Sequence, residues 1–230
     1  MAGKYHLLAV VALGAGATAL GAAVAERLTA ADRRGEAVIK DAHGNDVGSL
    51  RVEEQDGKTR ITVTSQGLPP GYHGFHIHAK GVCDPRAKDP ATGSPFASAG
   101  PHFDLDSHSH PAHSGDLPPL LVDGDGTGSA TVTTDRFRPA QLFDHDGSAI
   151  IIHAAPDNQA NIPKRYARSG PDAETLKTGD SGARIACGVI TKHRPGRASG
   201  PSGGDSTTPT AATGRSAWST RTETGGPGSA

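Results

Sequence analysis

His76 and His78 lie two residues apart in the stretch GFHIHAKG, 74–81. In an extended strand, residues two apart share a face. Both imidazoles therefore project to one side, while Phe75 and Ile77 project to the other, toward a core. Imidazole is a common ligand for copper and zinc, and zinc also accepts carboxylate. Alone, such a pair is equally an ordinary polar strand face. The rest of the chain adds to it. His153 closes the apolar run AIIIH, a ligand position that a rigid element would hold. The segment GPHFDLDSHSHPAHSGD, 100–116, adds His102, His108, His110, His113 and Asp116. Seven of the 12 histidines fall between His73 and His113. Ligand-type side chains on three separate segments indicate a built metal centre rather than adventitious binding by a histidine-rich loop.

The elements that would position these side chains are short strands. Eight segments read as strands: EAVIKD, VGSLRVEE, KTRITVTS, HGFHIHA, PPLLVD, SATVTT, SAIIIHAA and RIACGVITK. The turn sequences HGND, Asp56-Gly57 and LPPG separate the first four, which makes those strands antiparallel neighbours. No segment keeps a helical period over three turns. Eight antiparallel strands in one domain predict a sandwich or a flattened barrel. Two connections, 79–117 and 155–185, are much longer than the rest, and long loops inside a compact domain are usually functional. Both adjoin histidine-bearing strands.

With 230 residues the chain has room for one medium domain with tails, or two small domains. A net charge of −1 gives no nucleic-acid or membrane-surface signal. Residues 1–25 read as a signal peptide, with Lys4, an apolar stretch at 7–20 and the small-residue site Ala23-Val24-Ala25. An uncleaved anchor is the alternative, because 7–25 carries no charge. Residues 26–34 are then a linker and 35–193 the β domain. The tail, 194–230, has almost no apolar side chain besides Trp218 and cannot offset the entropy of ordering, so disorder is expected there. Export would place the protein in an oxidising compartment, secreted or in the cell envelope. Cys83 and Cys187, the two cysteines, then have one pairing. It closes a loop of about 104 residues, worth at most about 4–5 kcal/mol in the chain-entropy model.

Taken in order, GFHIHAKG, SAGPHFD, HPAHSGDLP, IIIHAAPDN and KTGDSGARIACGVI resemble the exported bacterial Cu/Zn superoxide dismutases, over residues 35–192. The resemblance implies an all-β, eight-stranded antiparallel Greek-key β-barrel with two long functional loops. It implies an enzyme with copper and zinc as cofactors and superoxide anion as substrate. His76, His78 and His153 match the family's copper ligands, and His102 matches the histidine that bridges copper and zinc. His110, His113 and Asp116 match the remaining zinc ligands. Asp157 matches the carboxylate that links ligand histidines of the two metals. Arg184 matches the arginine beside copper, where it would attract the substrate anion. Cys83 and Cys187 match the family's disulfide. In the family's mechanism one superoxide reduces Cu(II) and leaves as O₂, while the bridging histidine lets go of copper and takes a proton. A second superoxide reoxidises Cu(I), receives protons and leaves as hydrogen peroxide. The residue types fit, since four imidazoles suit Cu(II) and three imidazoles with a carboxylate suit tetrahedral zinc.

Several positions have two readings. His108 lies two residues from His110 and competes with it as a ligand; spacing from His102 favours His110. The 102–116 segment is shorter than in eukaryotic members, which leaves zinc affinity open. Glu174 and Lys177 match charged residues of the family's substrate-guiding loop, or are solvated charges. Arg184 is either the anion-attracting arginine or a structural arginine bonding loop carbonyls. A non-catalytic copper/zinc-binding module on the same barrel is the rival to an enzyme; it would be favoured by loss of a copper ligand or of Arg184, and neither is lost. A zinc hydrolase would need three protein ligands, an open water position and a placed base, and the carboxylates here read better as ligand and as partner of ligands. Nucleic acid is not an expected partner. Nor is stable membrane association once the signal is cleaved. A homodimer is allowed, because members of the family differ in oligomeric state.

Overall fold

The computed structural model describes residues 33–193. The expected signal peptide, nearly all of the expected linker, and the tail with Trp218 lie outside the described residues. Nine strands form one antiparallel sheet. They are β1 (Arg34–Asp41), β2 (Asp46–Gln55), β3 (Lys58–Ser65), β4 (Gly71–His73), β5 (Phe75–His78), β6 (Leu120–Val122), β7 (Gly128–Thr134), β8 (Ser148–His153) and β9 (Arg184–Lys192). The alternation read from the sequence is what forms them. In β3, Thr59, Ile61, Val63 and Ser65 turn inward while Lys58, Arg60 and Thr64 face water. Asp56 and Gly57, both at positive φ, make the two-residue turn that sets Gln55 opposite Lys58.

The strand order in the sheet is β4-β6-β7-β3-β2-β1-β9-β8-β5. Its two ends, β4 and β5, follow one another in the chain with Gly74 alone between them; the expected strand HGFHIHA takes in all of β5 and only the last residue of β4. The sheet therefore nearly closes into a barrel through one continuous piece of chain. That accounts for nine strands where eight are expected: the chain changes partners at Gly74. Gly71–His73 pairs with β6, and Phe75–His78 pairs with β8. Gly74 cannot be exchanged cheaply, because a Cβ there would lie 2.4 Å from the Ser181 hydroxyl. The pairings β3–β7 and β1–β9 join strands distant in sequence, as a Greek key requires.

Two cores result. The barrel interior packs Ile39, Leu50, Ile61, Phe75, Ile77 and Ile150 with their neighbours. A smaller outer cluster of Phe96, Ala99, Ala149, Ile151 and Cys187 lies between β8–β9 and the long loop after β5. With the barrel interior on one side and loop residues on the other, β5 is buried on both faces. The face that the sequence alone would equally allow as an ordinary polar one is covered: His76 and His78 are 0% and 1% exposed. The two long connections run over 79–119 and 154–183, broken only by a 3₁₀ turn at Ala97–Ala99 and a helical turn at Thr175–Thr178. No described helix is long and apolar enough to cross a membrane.

Candidate metal centre

β5 organises the centre through its side chains and its backbone together. Its free edge, opposite β8, pairs with both ends of the histidine-rich loop: Ile77 N–H donates to Gly115 O at 3.0 Å, and Phe103 N–H donates to Ile77 O at 2.8 Å. Bridges His76↔Asp116 and His78↔His102 continue this pairing. Loop residues 102 and 116 are thereby brought beside the two strand histidines. β8 delivers His153 from the other side, opposite Arg184 at the start of β9.

His76, His78, His102 and His153 are buried and offer ligand atoms within 4.8 Å of one another. Each has one ring nitrogen held by the protein. His78 Nδ1 donates to Gly100 O at 2.9 Å, and His153 Nδ1 donates to Gly182 O at 3.1 Å. His76 Nε2 meets Asp157 Oδ2 at 2.6 Å, and His102 Nδ1 meets Asp116 Oδ1 at 2.7 Å. The other nitrogen of each ring, His76 Nδ1 and the Nε2 atoms of His78, His102 and His153, is buried with no hydrogen-bond partner.

A second set adjoins the first through His102. Asp116 Oδ2 lies 3.1 Å from His110 Nδ1 and 3.0 Å from His113 Nδ1. Neither contact has hydrogen-bond geometry, so both nitrogens are again unpartnered. His76 also falls within 4.8 Å of His102, His110 and Asp116. Its Nε2 is already taken by Asp157, however, and its Nδ1 is the unpartnered atom, so we group it with the first set and His113 with the second. His108 does not enter. Its side chain is 47% exposed and turned to Asp104 at 3.3 Å, which leaves His110 as the residue aimed inward.

Asp157 spans the two sets. Its Oδ2 holds His76 Nε2, and its Oδ1 lies 2.9 Å from His110 Nε2. Gly179 makes this possible: at φ +63, a Cβ on it would sit 2.2 Å from Asp157 Oδ1 and 2.5 Å from His110 Nε2. The electrostatics follow from burial and pairing. Burial works against the Asp116 charge, but the bond to His102 and the close imidazoles of His110 and His113 outweigh it and hold the carboxyl well below its usual range. Asp157 is lowered in the same way by His110 and His76. Burial, with His102 and His153 as neighbours, holds His78 far below the ordinary imidazole value.

These residues fit a pair of metal ions. Among the described residues, seven buried side-chain polar atoms lack a hydrogen-bond partner; six are these histidine nitrogens and the seventh is Ser148 Oγ. An unsatisfied buried group costs about 1–3 kcal/mol. Six of them converging on two points are accounted for by cations that accept six lone pairs. Four imidazoles suit Cu(II), and three imidazoles with a carboxylate suit zinc.

Arg184 stands at the edge of the first set. Its Nη1 donates to Phe96 O and its Nη2 to Gly100 O, each at 2.7 Å. Glu174 and Lys177 form an exposed pair at 3.8 Å on the helical turn Thr175–Thr178, whose Leu176 carbonyl accepts from His110 N–H. Cys83 and Cys187 are disulfide-bonded. Two functional positions escape sequence reasoning. His73 is buried, with Nδ1 2.7 Å from His153 O and Nε2 2.8 Å from Pro69 O. Arg136 reaches the loop that carries His113. Both act on backbone carbonyls, which leave no mark in the sequence.

Comparison with known proteins agrees with this centre. The sequence model of the family described as copper/zinc superoxide dismutase (SODC) matches residues 47–190. A "Superoxide dismutase [Cu-Zn]" of Mycolicibacterium paratuberculosis is 43% identical over 180 residues, covering 74% of this chain and 79% of that protein. One from Escherichia coli K12 is 36% identical over 159 residues, covering 66% of this chain and 83% of that one. Among solved structures, the Cu/Zn superoxide dismutase from Brucella abortus superposes with a TM-score of 0.55 at 28% identity, covering 69% of this chain and 99% of that one. The barrel, the two histidine sets and these likenesses agree: the chain belongs to the copper/zinc superoxide dismutase family.

Proposed function

We propose that His76, His78, His102 and His153 hold copper, that His102, His110, His113 and Asp116 hold zinc, and that this centre dismutes superoxide to O₂ and hydrogen peroxide. The observation that carries the reading is the convergence of six unpartnered, buried histidine nitrogens on two points that share His102. Copper, when bound, supplies the one-electron couple that takes an electron from one superoxide and returns it to another. The protein does the rest. Four imidazoles fixed through their second nitrogens give a rigid ligand set. Asp157 orients one histidine of each set, so neither ring can turn away. His102 presents Nε2 to the copper set, and a proton held there is placed for delivery to the peroxide product. Of the five N–H donors of Arg184, two are bonded to loop carbonyls; the others can take the substrate anion by charge-assisted hydrogen bonds.

Export to the cell envelope or beyond is part of the same reading. It is supported by the signal-like residues 1–25 and by a disulfide of the kind that persists in oxidising compartments. The mass of the protein recovered outside the cytoplasm tests it.

Metal analysis of purified protein, alongside superoxide consumption, tests the ligand assignment. His78→Ala should lose copper. Removing even a partner of a ligand costs about 10–100-fold in affinity or activity, so removing the ligand itself should cost more. His43→Ala, in an exposed turn, should match the parent. Full copper and normal turnover in His78→Ala would overturn the assignment.

A further inference from the structure

We propose that Arg136 is the positioning residue that holds the zinc-binding stretch of the loop closed against the barrel. This rests on the reading of His113 and Asp116 as zinc ligands. Nη1 of Arg136 donates to Pro111 O at 2.9 Å and to His113 O at 3.1 Å, with Asp116 O at 3.5 Å. One guanidinium nitrogen thus gathers the carbonyls of two of the four zinc-set residues, together with the proline between His110 and His113.

The arginine stands on a rigid base. It follows β7 after one residue, Asp135, and its own N–H donates to Thr134 Oγ1 at 3.2 Å. The next residue, Phe137, is 2% exposed, and its carbonyl accepts from the buried hydroxyl of Thr59 at 2.6 Å. The Phe137 ring packs edge-on against Phe103, centroids 5.8 Å apart, and Phe103 is the residue after His102. Residues 136 and 137 therefore bracket the zinc loop, with Phe137 gripping its start and Arg136 its end. The stretch between the loop's ends needs such a grip. β5 holds Phe103 and Gly115, but bonds further in, such as Ala112 N–H to Ser109 O and Asp116 N–H to His113 O, are local. Local bonds shape a loop but do not fix it to the domain. A cation beneath carbonyls also suits the site in charge, because it faces dipole oxygens and leaves the ligand nitrogens free.

The test uses the full-length protein loaded with both metals. Zinc release into a chelator is followed at neutral pH, with copper content measured in parallel. Arg136→Gln should release zinc about 10-fold faster, the scale expected when a partner of a ligand is lost. Arg136→Lys should recover part of the difference, because lysine keeps the charge and donors but loses the planar fork. Arg60→Gln, an exposed arginine on β3, controls for loss of a surface charge, and melting of the metal-free proteins reports general destabilisation. The proposal is overturned if Arg136→Gln releases zinc within twofold of the parent. It is equally overturned if faster release is matched by Arg60→Gln, or accompanied by an equal loss of metal-free stability with no rescue by lysine. Asp116→Ala is run beside them. If it retains zinc, the ligand reading itself has failed. If it loses zinc while Arg136→Gln does not change the rate, the bracket alone has failed.

Discussion

His78 and Arg184 share one acceptor. His78 Nδ1 and Arg184 Nη2 both donate to the carbonyl oxygen of Gly100, at 2.9 and 2.7 Å. The copper-set histidine and the arginine are thus fixed to the same peptide, which sets the imidazole and the guanidinium relative to each other. Arg184 is therefore structural, and in the proposed reading it also attracts the anion. The two roles separate by substitution, because the His78 bond to Gly100 does not pass through the arginine. Arg184→Ile should keep copper yet consume superoxide about tenfold more slowly, the low end of what local steering supplies. Arg184→Lys should fall between. With a net charge of −1 the whole molecule does not attract an anion, so the parent's rate should fall with added salt and the isoleucine variant's should hardly change. Rates on protein of verified metal content, at several ionic strengths, decide this; equal rates and equal salt slopes would remove the steering role.

Asp157 should matter to both metals although it is assigned to neither. It holds His76 Nε2 with one oxygen and His110 Nε2 with the other. Asn in its place offers one acceptor and one donor group, so one of the two rings loses its partner. Asp157→Asn is expected to lower zinc affinity about 10–100-fold and to weaken copper as well. Competition with a chromophoric chelator measures both. A variant that loses copper affinity alone would show that the link to His110 carries nothing.

Much of this was legible in the sequence, and the failures have physical causes. The strands followed from alternation, and the histidines that the fold brings together from their place at strand ends and loop mouths. The ninth strand was hidden because β4 is only three residues long and its first, Gly71, reads as the end of the turn LPPG. β5 looked half-buried because alternation reports one covered face; its second cover is a loop more than 20 residues away in sequence, at His102 and Asp116. The choice between His108 and His110 depends on Asp104, which turns His108 outward, and spacing alone could only favour it. His73 and Arg136 were invisible because their partners are carbonyl oxygens, which every residue has.

Acid should release zinc before copper. Burial opposes a charge on His110, but the nearby Asp116 carboxylate and the bond to Asp157 outweigh it and raise its pKa to about 9. In the metal-free pocket that imidazole holds a proton at neutral pH. Zinc must displace it, so zinc affinity falls as pH falls. His78, His102 and His153 of the copper set behave oppositely. Burial, with Asp116 opposing, pushes His102 down to about 4, and burial followed by the nearby His76 holds His153 well below the ordinary value. These rings stay neutral in mild acid, where no proton competes for the metal. Metal content after dialysis at steps from about pH 7 to about pH 4, across the ordinary imidazole range, should show zinc leaving first; the reverse order would contradict the charge assignment.

The disulfide should hold the same loop that Arg184 holds, from the opposite side. Cys83 and Cys187 are 104 residues apart in sequence, with Cα atoms 5.7 Å apart. Cys187 lies in the outer cluster with Phe96 and Ala99, and Cys83 packs against it. Phe96 and Gly100 supply the carbonyls that Arg184 bonds. Removing the bond frees one anchor of this stretch and restores entropy to the unfolded chain. Cys83→Ser with Cys187→Ser is expected to cost up to about 4–5 kcal/mol, or about 10–20 °C in melting temperature for a domain of this size. Copper should remain bound at moderate temperature, because His76 and His153 stand on strands. Activity should fall more than copper content does, because the Phe96 and Gly100 carbonyls that orient Arg184 are no longer pinned. Calorimetry with parallel metal and rate measurements tests this, and an unchanged melting temperature with an unchanged rate per copper would show that the barrel and Arg184 alone hold the loop.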